Sequence, residues 1–321
     1  MTDAHRDAAV AQVQSAIGAG RAPVVETFFD EATFTATHLV HDPATRRAAI
    51  VDSVLDFDAA AGRTATRSAD AIAARIEQAG LSVEWLLETH AHADHLSAAP
   101  HLQARLGGCL AIGRSIVTVQ ETFGRIYNLG PEFARDGSQF DMLFDDGSTF
   151  ALGEIPAIAL HVPGHTPADM AYVIGDAVFT GDTIFMPDYG TARADFPGGD
   201  ARKLYRSIRR LLALPPDTRL FMCHDYKAPG RDTYAWETTV KAEREESVHV
   251  RDGVSEDDFV AMRLERDQTL SVPRLLLPSI QVNMRAGRFP PAEQNGVHYL
   301  MIPVKPKRPG AAEAVQAADR H

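Results

Sequence analysis

His90, His92, Asp94 and His95 fall within the short run "HAHADH", directly after the apolar stretch "WLLET". Three imidazoles and a carboxylate at one backbone corner can converge on a point without helical register. Borderline metal ions take those nitrogen and oxygen donors together. The chemistry expected of this run is therefore metal binding. A lone histidine serves many other ends, and His5, His38, His41, His101, His249, His298 and His321 carry no such expectation.

A cluster of four cannot encircle a metal and still leave a position for substrate, so distant ligands are expected. His165 stands between a Pro-Gly turn and a Thr-Pro step in "PGHTP". Asp182 closes the apolar run of "FTGD", where a carboxylate is costly unless a cation or donors meet it. His224 occupies the same kind of position in "FMCHD". A closed structural site would not need such a surplus of ligands.

These residues share a place in the chain's organisation. "LSVEWLLETH", "AIALHVPGH", "MAYVIGDAVFTGD" and "TRLFMCHD" read as strands, and their ends deliver the histidines and aspartates. "AAIVD", ending at Asp52, reads as another buried strand. Between strands, "SADAIAARIEQAG" predicts a helix capped by Ser68, with Ile72 and Ile76 on one face and Gly80 as its stop. A second helix runs from Asp200 with Leu204, Ile208, Leu211 and Leu212 at helical spacing, and a third is capped by Ser255.

Composition bounds the partners. The chain of 321 residues is 45% hydrophobic, ample for a buried core. Its 32 basic against 43 acidic residues give a net charge of -11, which argues against nucleic acid. Cys109 and Cys223 are too few for a disulfide framework and read as small buried residues. With no secretory pattern at the start and no apolar run of about 18 residues, a cytoplasmic location without membrane contact is expected. Residues 1–20 read as a flexible arm or loose helix, 21–247 as the catalytic domain, 248–304 as an extension packed on it, and 305–321 as a disordered tail. Leu275, Leu276, Leu277 and Ile280 lie in a proline-bounded segment that must bury apolar surface, which predicts a homodimer or higher homo-oligomer.

The order "THAHADH", "PGHT", "FTGD" and "CHDY" resembles the metallo-β-lactamase superfamily, and the resemblance runs from about Val24 to Tyr234. It implies an α/β (α+β) fold, an αββα sandwich with the metal at one edge, here followed by a C-terminal extension. Two chemistries stay open, because every ligand position of the superfamily is filled. In a dinuclear zinc hydrolase of the glyoxalase II type, His90, His92 and His165 would hold one Zn2+ and Asp94, His95 and His224 the other. Asp182 would bridge them, and the substrate would be a thioester, lactone or lactam. A mononuclear Fe2+ enzyme needs only two histidines and a carboxylate, which His90, His165 and Asp182 supply.

The more specific resemblance is to the persulfide dioxygenases, close to glyoxalase II. It rests on "ETHAHADH", "VPGHTP", "FTGDTIF", "YGTARADFPGGDARKLYRSI" and "CHDYKAPGRD". It implies one Fe2+ on His90, His165 and Asp182, with His92, Asp94, His95 and His224 in support. Glutathione persulfide, O2 and water would give glutathione and sulfite. An anionic substrate approaching this acidic protein needs local positive charge, so Arg193, Tyr226, Lys227 and Arg231 are candidate contacts, Arg193 alternatively pairing with Asp195. The stretch after Tyr234 does not resemble the glutathione-binding helical domain of glyoxalase II, and no rhodanese-type cysteine loop is present.

Overall fold

Ala48 and Ile50 pack into one hydrophobic cluster and their neighbours Ala49 and Val51 into another. Ile158 and Leu160 against Ala157 and Ala159 repeat this division. Side chains alternate faces along a strand, so both strands are covered on both sides. The cluster that Ala49, Val51, Ala157 and Ala159 share is the middle of the molecule, and the other two lie outside it.

The computed structural model describes residues 3–304. In chain order it first runs α1 (Ala4–Ala19), β1 (Val24–Asp30), β2 (Thr35–His41), β3 (Arg47–Val51), β4 (Val54–Asp58), β5 (Arg63–Ala65), α2 (Arg67–Ala79) and β6 (Ser82–Leu87). It continues with β7 (Leu96–Ser97), α3 (Ala99–Leu106), β8 (Cys109–Gly113), α4 (Ile116–Ile126), β9 (Met142–Phe144), β10 (Ser148–Leu152), β11 (Ile155–His161), β12 (Met170–Ile174) and β13 (Ala177–Phe179). The last elements are α5 (Ala201–Leu211), β14 (Arg219–Phe221), β15 (Glu237–Thr239), α6 (Val240–Glu246), α7 (Glu256–Asp267) and α8 (Leu276–Asn283). One six-stranded sheet has the order β1-β2-β3-β6-β8-β9, the second runs β10 to β15 in sequence, and β5-β4-β7 form a small third sheet.

In the first sheet β3, β6, β8 and β9 are parallel, so the chain crosses over between them and needs a cover for the outer face. Helices α2, α3 and α4 supply it through Ile72, Ile76, Leu102, Ile116, Val119 and Phe123. Helix α2 begins at Arg67, with Thr66 rather than the expected Ser68 at its N-cap, because Ser68 donates its amide and hydroxyl to Asp56. It stops at Gly80, whose φ of 63° lies in the left-handed region. The second sheet is antiparallel except where β13 and β14 run parallel, with α5 between them in sequence. Asp200 caps α5 by accepting from the amides of Arg202 and Lys203, a contribution of about 1 kcal/mol. Leu204, Ile208 and Leu211 of α5 pack under the second sheet. The result is the αββα sandwich.

Two expectations are corrected. The start of the chain is not a flexible arm: α1 buries Ala9, Val13 and Ala16, with Ala9 and Val13 packed against the second sheet. The leucines offered as an oligomer contact are covered by their own chain. Leu275 and Ile280 are each 3% exposed, and Leu276 and Leu277 pack on the first sheet's outer cluster. The expected tail, 305–321, lies outside the described residues. Among those described, no helix is long and apolar enough to cross a membrane. Within the segment after residue 247, Phe259 of α7 joins the second sheet's outer cluster and Ile280 of α8 the first's.

Glu243 of α6 is fully buried, with the Ser247 hydroxyl as its polar neighbour but no hydrogen bond of good geometry to either carboxylate oxygen among the described residues. Burial, with the charges of Asp188 and Glu246 adding to it, pushes this carboxyl up to about 9. The folded state therefore keeps a proton that the unfolded chain releases near its ordinary value. Stability must fall as pH rises from that value toward about 9, by up to about 1.4 kcal/mol per pH unit. Urea midpoints at pH 6 and 8.5 should show this loss in the native chain and a smaller loss in Glu243→Gln, the remainder coming from Glu88, Asp169 and His92, whose values are also raised.

Candidate metal centre

The ligand candidates leave the sandwich at one edge because of strand direction. The run from Glu88 to His95 follows β6, His165 follows β11, Asp182 follows β13 and His224 follows β14. Strands β11 and β13 are both antiparallel to β12, and β14 is parallel to β13, so their C-terminal ends coincide. Gly181 makes the last turn before Asp182 possible. Its φ is 53°, and a Cβ there would lie 2.7 Å from Thr89 Oγ1.

Two halves of a site result, joined by Asp182. Ligand atoms of His90, His165 and Asp182 lie within 4.8 Å of one another. Asp182 Oδ2 is 4.0 Å from His90 Nε2 and 3.5 Å from His165 Nε2. Its other oxygen, Oδ1, is 3.4 Å from His224 Nε2, which in turn is 3.2 Å from Asp94 Oδ2. Ligand atoms of His92, Asp94 and His95 form a further group within 4.8 Å. All the histidines and aspartates expected from the sequence to bind or support a metal are thus brought together.

The opposite edge of each imidazole is pinned. His165 Nδ1 donates to the Arg193 carbonyl at 2.8 Å, and His224 Nδ1 to the Phe34 carbonyl at 3.0 Å. His90 Nδ1 lies 3.0 Å from Thr89 Oγ1, which donates to Asp52 Oδ2 at 2.8 Å. His92 uses Nε2 instead, 2.9 Å from Asp52 Oδ1, which turns Nδ1 inward. Such partners fix ring orientation and tautomer. Asp52 itself sits at a φ of 53°, a conformation uncommon for a residue with a side chain. Burial alone would raise its carboxyl, but His92 and the Thr89 donors hold it below the usual range.

What these pins leave free is the test of fit. His90 Nε2, His92 Nδ1, Asp94 Oδ2, His95 Nε2, Asp182 Oδ1 and His224 Nε2 are all buried without a hydrogen-bond partner among the described residues. Burial and neighbouring imidazoles also hold His90 well below its ordinary value, in the neutral form that coordinates a cation. Nitrogen and carboxylate donors of this kind suit iron or zinc.

The site opens into a cavity of about 530 Å³ that Asp94, His165 and Asp182 line. Of the four expected substrate contacts, Arg193 and Tyr226 line it. The Arg193 guanidinium is forked onto Asp195 at 2.6 and 2.8 Å and donates to the Ser271 carbonyl, so its charge is already met. Lys227 and Arg231 are not among the lining residues. Lys227 lies over the Tyr234 ring at 4.1 Å, and Arg231 is held by Asp188 and Asp225. The far wall comes from the C-terminal segment, with Arg266, Leu270, Ser271, Pro273, Arg274 and Leu275.

Asn283, in the last turn of α8, was not anticipated from the sequence. Its Nδ2 donates at 2.8 Å to the carbonyls of both His92 and His95, and its Oδ1 accepts from the Ser97 amide at 2.9 Å. One side chain of the extension thus clamps the metal-ligand loop. Asn283→Ala leaves three buried backbone groups unpaired, at ~1–3 kcal/mol each. Chelator competition should show metal affinity reduced by about tenfold or more, together with a lower urea midpoint. Chelation of the native protein should lower its melting temperature, and metal added back should restore it.

Residues 33–224 match the model of the metallo-beta-lactamase superfamily. The chain is 59% identical over 290 residues to a probable metallo-hydrolase of Burkholderia pseudomallei, covering 87% of this chain and 98% of that one. It is 28% identical over 290 residues to the mitochondrial persulfide dioxygenase ETHE1 of Homo sapiens, covering 89% and 98%. Among solved structures, ETHE1 from Myxococcus xanthus superimposes with a TM-score of 0.65 at 27% identity, over 83% of this chain and all of that one. Motif order, sandwich, edge site and family match agree, and the chain belongs to the metallo-β-lactamase superfamily.

Proposed function

We propose that the protein is an iron(II)-dependent persulfide dioxygenase that converts glutathione persulfide, O2 and water to glutathione and sulfite. The observation that carries this reading is the group His90, His165 and Asp182, whose ligand atoms lie within 4.8 Å beside a cavity of about 530 Å³. Two histidines and a carboxylate on one side of an iron leave open positions for two reactants. The likeness to proteins named ETHE1 supports it.

The reaction balances with those reactants alone. The terminal sulfur gives up four electrons, O2 accepts four, water supplies the third sulfite oxygen, and the S–S bond breaks with the thiol leaving. Bound ferrous ion supplies the redox chemistry that dioxygen needs with a closed-shell sulfur compound. The chain's residues hold and shape the site. Arg193 fixes His165 through its carbonyl, and Asp52 fixes His90 through Thr89 and fixes His92 directly. Phe34, Phe185, Phe196 and Tyr226 line the cavity with ring surface, which keeps bulk water from the reacting sulfur. The unpaired atoms of Asp94, His95 and His224 suit hydrogen bonds to the water that the reaction consumes.

A dinuclear zinc hydrolase is the second reading. It is favoured by the two oxygens of Asp182 facing His165 and His224 separately, and by the Burkholderia relative named as a probable metallo-hydrolase. Anaerobic loading with iron followed by oxygen-electrode assay tests the two. Oxygen uptake and sulfite release with one iron per chain are expected, and their loss in His165→Ala and Asp182→Ala. No uptake at full iron occupancy overturns the dioxygenase. Two zinc ions per chain with oxygen-independent thioester hydrolysis establish the alternative.

A further inference from the structure

Four arginines line the cavity, and they differ in what meets their charge. Arg193 is forked onto Asp195, and buried Arg263 is held by Asp267 at 2.7 Å and by the Thr191 carbonyl. Arg266 and Arg274 meet no carboxylate and donate no side-chain hydrogen bond among the described residues. Arg266 lies over the Tyr189 ring, 5.6 Å from its centre, at the end of α7. Arg274, just before α8, also lines an adjoining groove of about 410 Å³ along β4 and β5. In a protein of net charge -11, whose other cavity arginines are neutralised, half-buried Arg266 and exposed Arg274 are the lining guanidiniums left without a carboxylate among the described residues.

Their position relative to the metal residues defines what they fit. Asp94, His165 and Asp182 line the same cavity as Arg266 and Arg274 of the C-terminal segment, with Tyr189, Phe196 and Tyr226 also lining the space. A ligand filling this space can meet the metal residues with its reacting atom, the rings with its organic body and the two arginines with an anionic group. Guanidinium recognises carboxylate by paired, charge-assisted hydrogen bonds.

We infer that Arg266 and Arg274 form a subsite that recognises a carboxylate of the substrate, so that two residues of the C-terminal segment position the organic body over the metal residues. This deepens the proposed function, on which it rests for the identity of the reacting sulfur. The subsite belongs to the extension, so that segment sets substrate choice while the sandwich supplies the metal ligands.

The test separates the subsite from the reaction. S-Methylglutathione has both carboxylates but no free thiol to ligate a metal, so its calorimetric titration into the metal-loaded protein reads the body and carboxylates alone. Arg266→Gln and Arg274→Gln should each raise its Kd by roughly ten- to hundredfold, with metal content and melting temperature unchanged. The dimethyl ester of the same compound should bind the native protein weakly and be insensitive to both substitutions. No binding to the native protein, equal Kd in native and variant proteins, or an ester that binds as tightly overturns the subsite. If binding follows the arginines while the iron-loaded protein consumes no oxygen with glutathione persulfide, the dioxygenase reading fails and the subsite stands. Oxygen uptake with carboxylate-independent binding means the reverse.

Discussion

Asp182 places its two oxygens toward different histidines in a region where six polar atoms are buried without partners. At ~1–3 kcal/mol for each unpaired group, such a set rivals the whole stability of a domain, about 5–15 kcal/mol. A cation among them, with water on the donors it does not use, reconciles this burial with a folded chain. The rest of the site follows from that requirement. Donors must arrive from several strands, so the strand ends must coincide at one edge. Each ring must present one nitrogen, so the other is tied to a carbonyl, a threonine or Asp52. The four-layer sandwich is rigid enough to hold these positions because both faces of β3 and β11 are packed.

The same frame accommodates water-splitting and oxygen chemistry, because the difference lies in how many cations share Asp182. A single ion on the His90 side uses three donors and leaves Asp94, His95 and His224 to water. Two ions use them all. The family match fixes the frame without fixing the metal. The cavity carries more of the distinction, since part of its lining comes from the segment after residue 247 and the rest from the sandwich.

Much of the centre was legible in the sequence because its ligands are local signals. "HAHADH", "PGHT", "FTGD" and "CHD" each put a donor beside a strand end or tight turn, and chain order supplied the rest. The fold came from the same motifs, since period-two alternation is masked where both faces of a strand are apolar. What stayed hidden depends on contacts between distant segments. Asp52 looked like an ordinary strand terminus, although it ends "AAIVD" much as Asp182 ends its own run. Asn283 gave no signal, because its three partners lie in a loop that sequence spacing cannot bring near. Arg266 and Arg274 gave no signal in the sequence, because only the folded cavity shows that they lack a carboxylate partner, whereas Arg231 and Lys227 are drawn to partners outside the cavity. The leucines before and in α8 suggested a second copy only because their cover, the outer face of the first sheet, is remote in sequence.

The Asn283 clamp also has a meaning for biosynthesis. Its three bonds join residues 186 to 191 positions apart, and contacts of such separation form late because chain closure must precede them. When His224 leaves the ribosome every ligand has been made, yet the loop bearing His92 and His95 still lacks its clasp. The loop that bears two of the centre's donors is thus completed by α8, the last helix among the described residues.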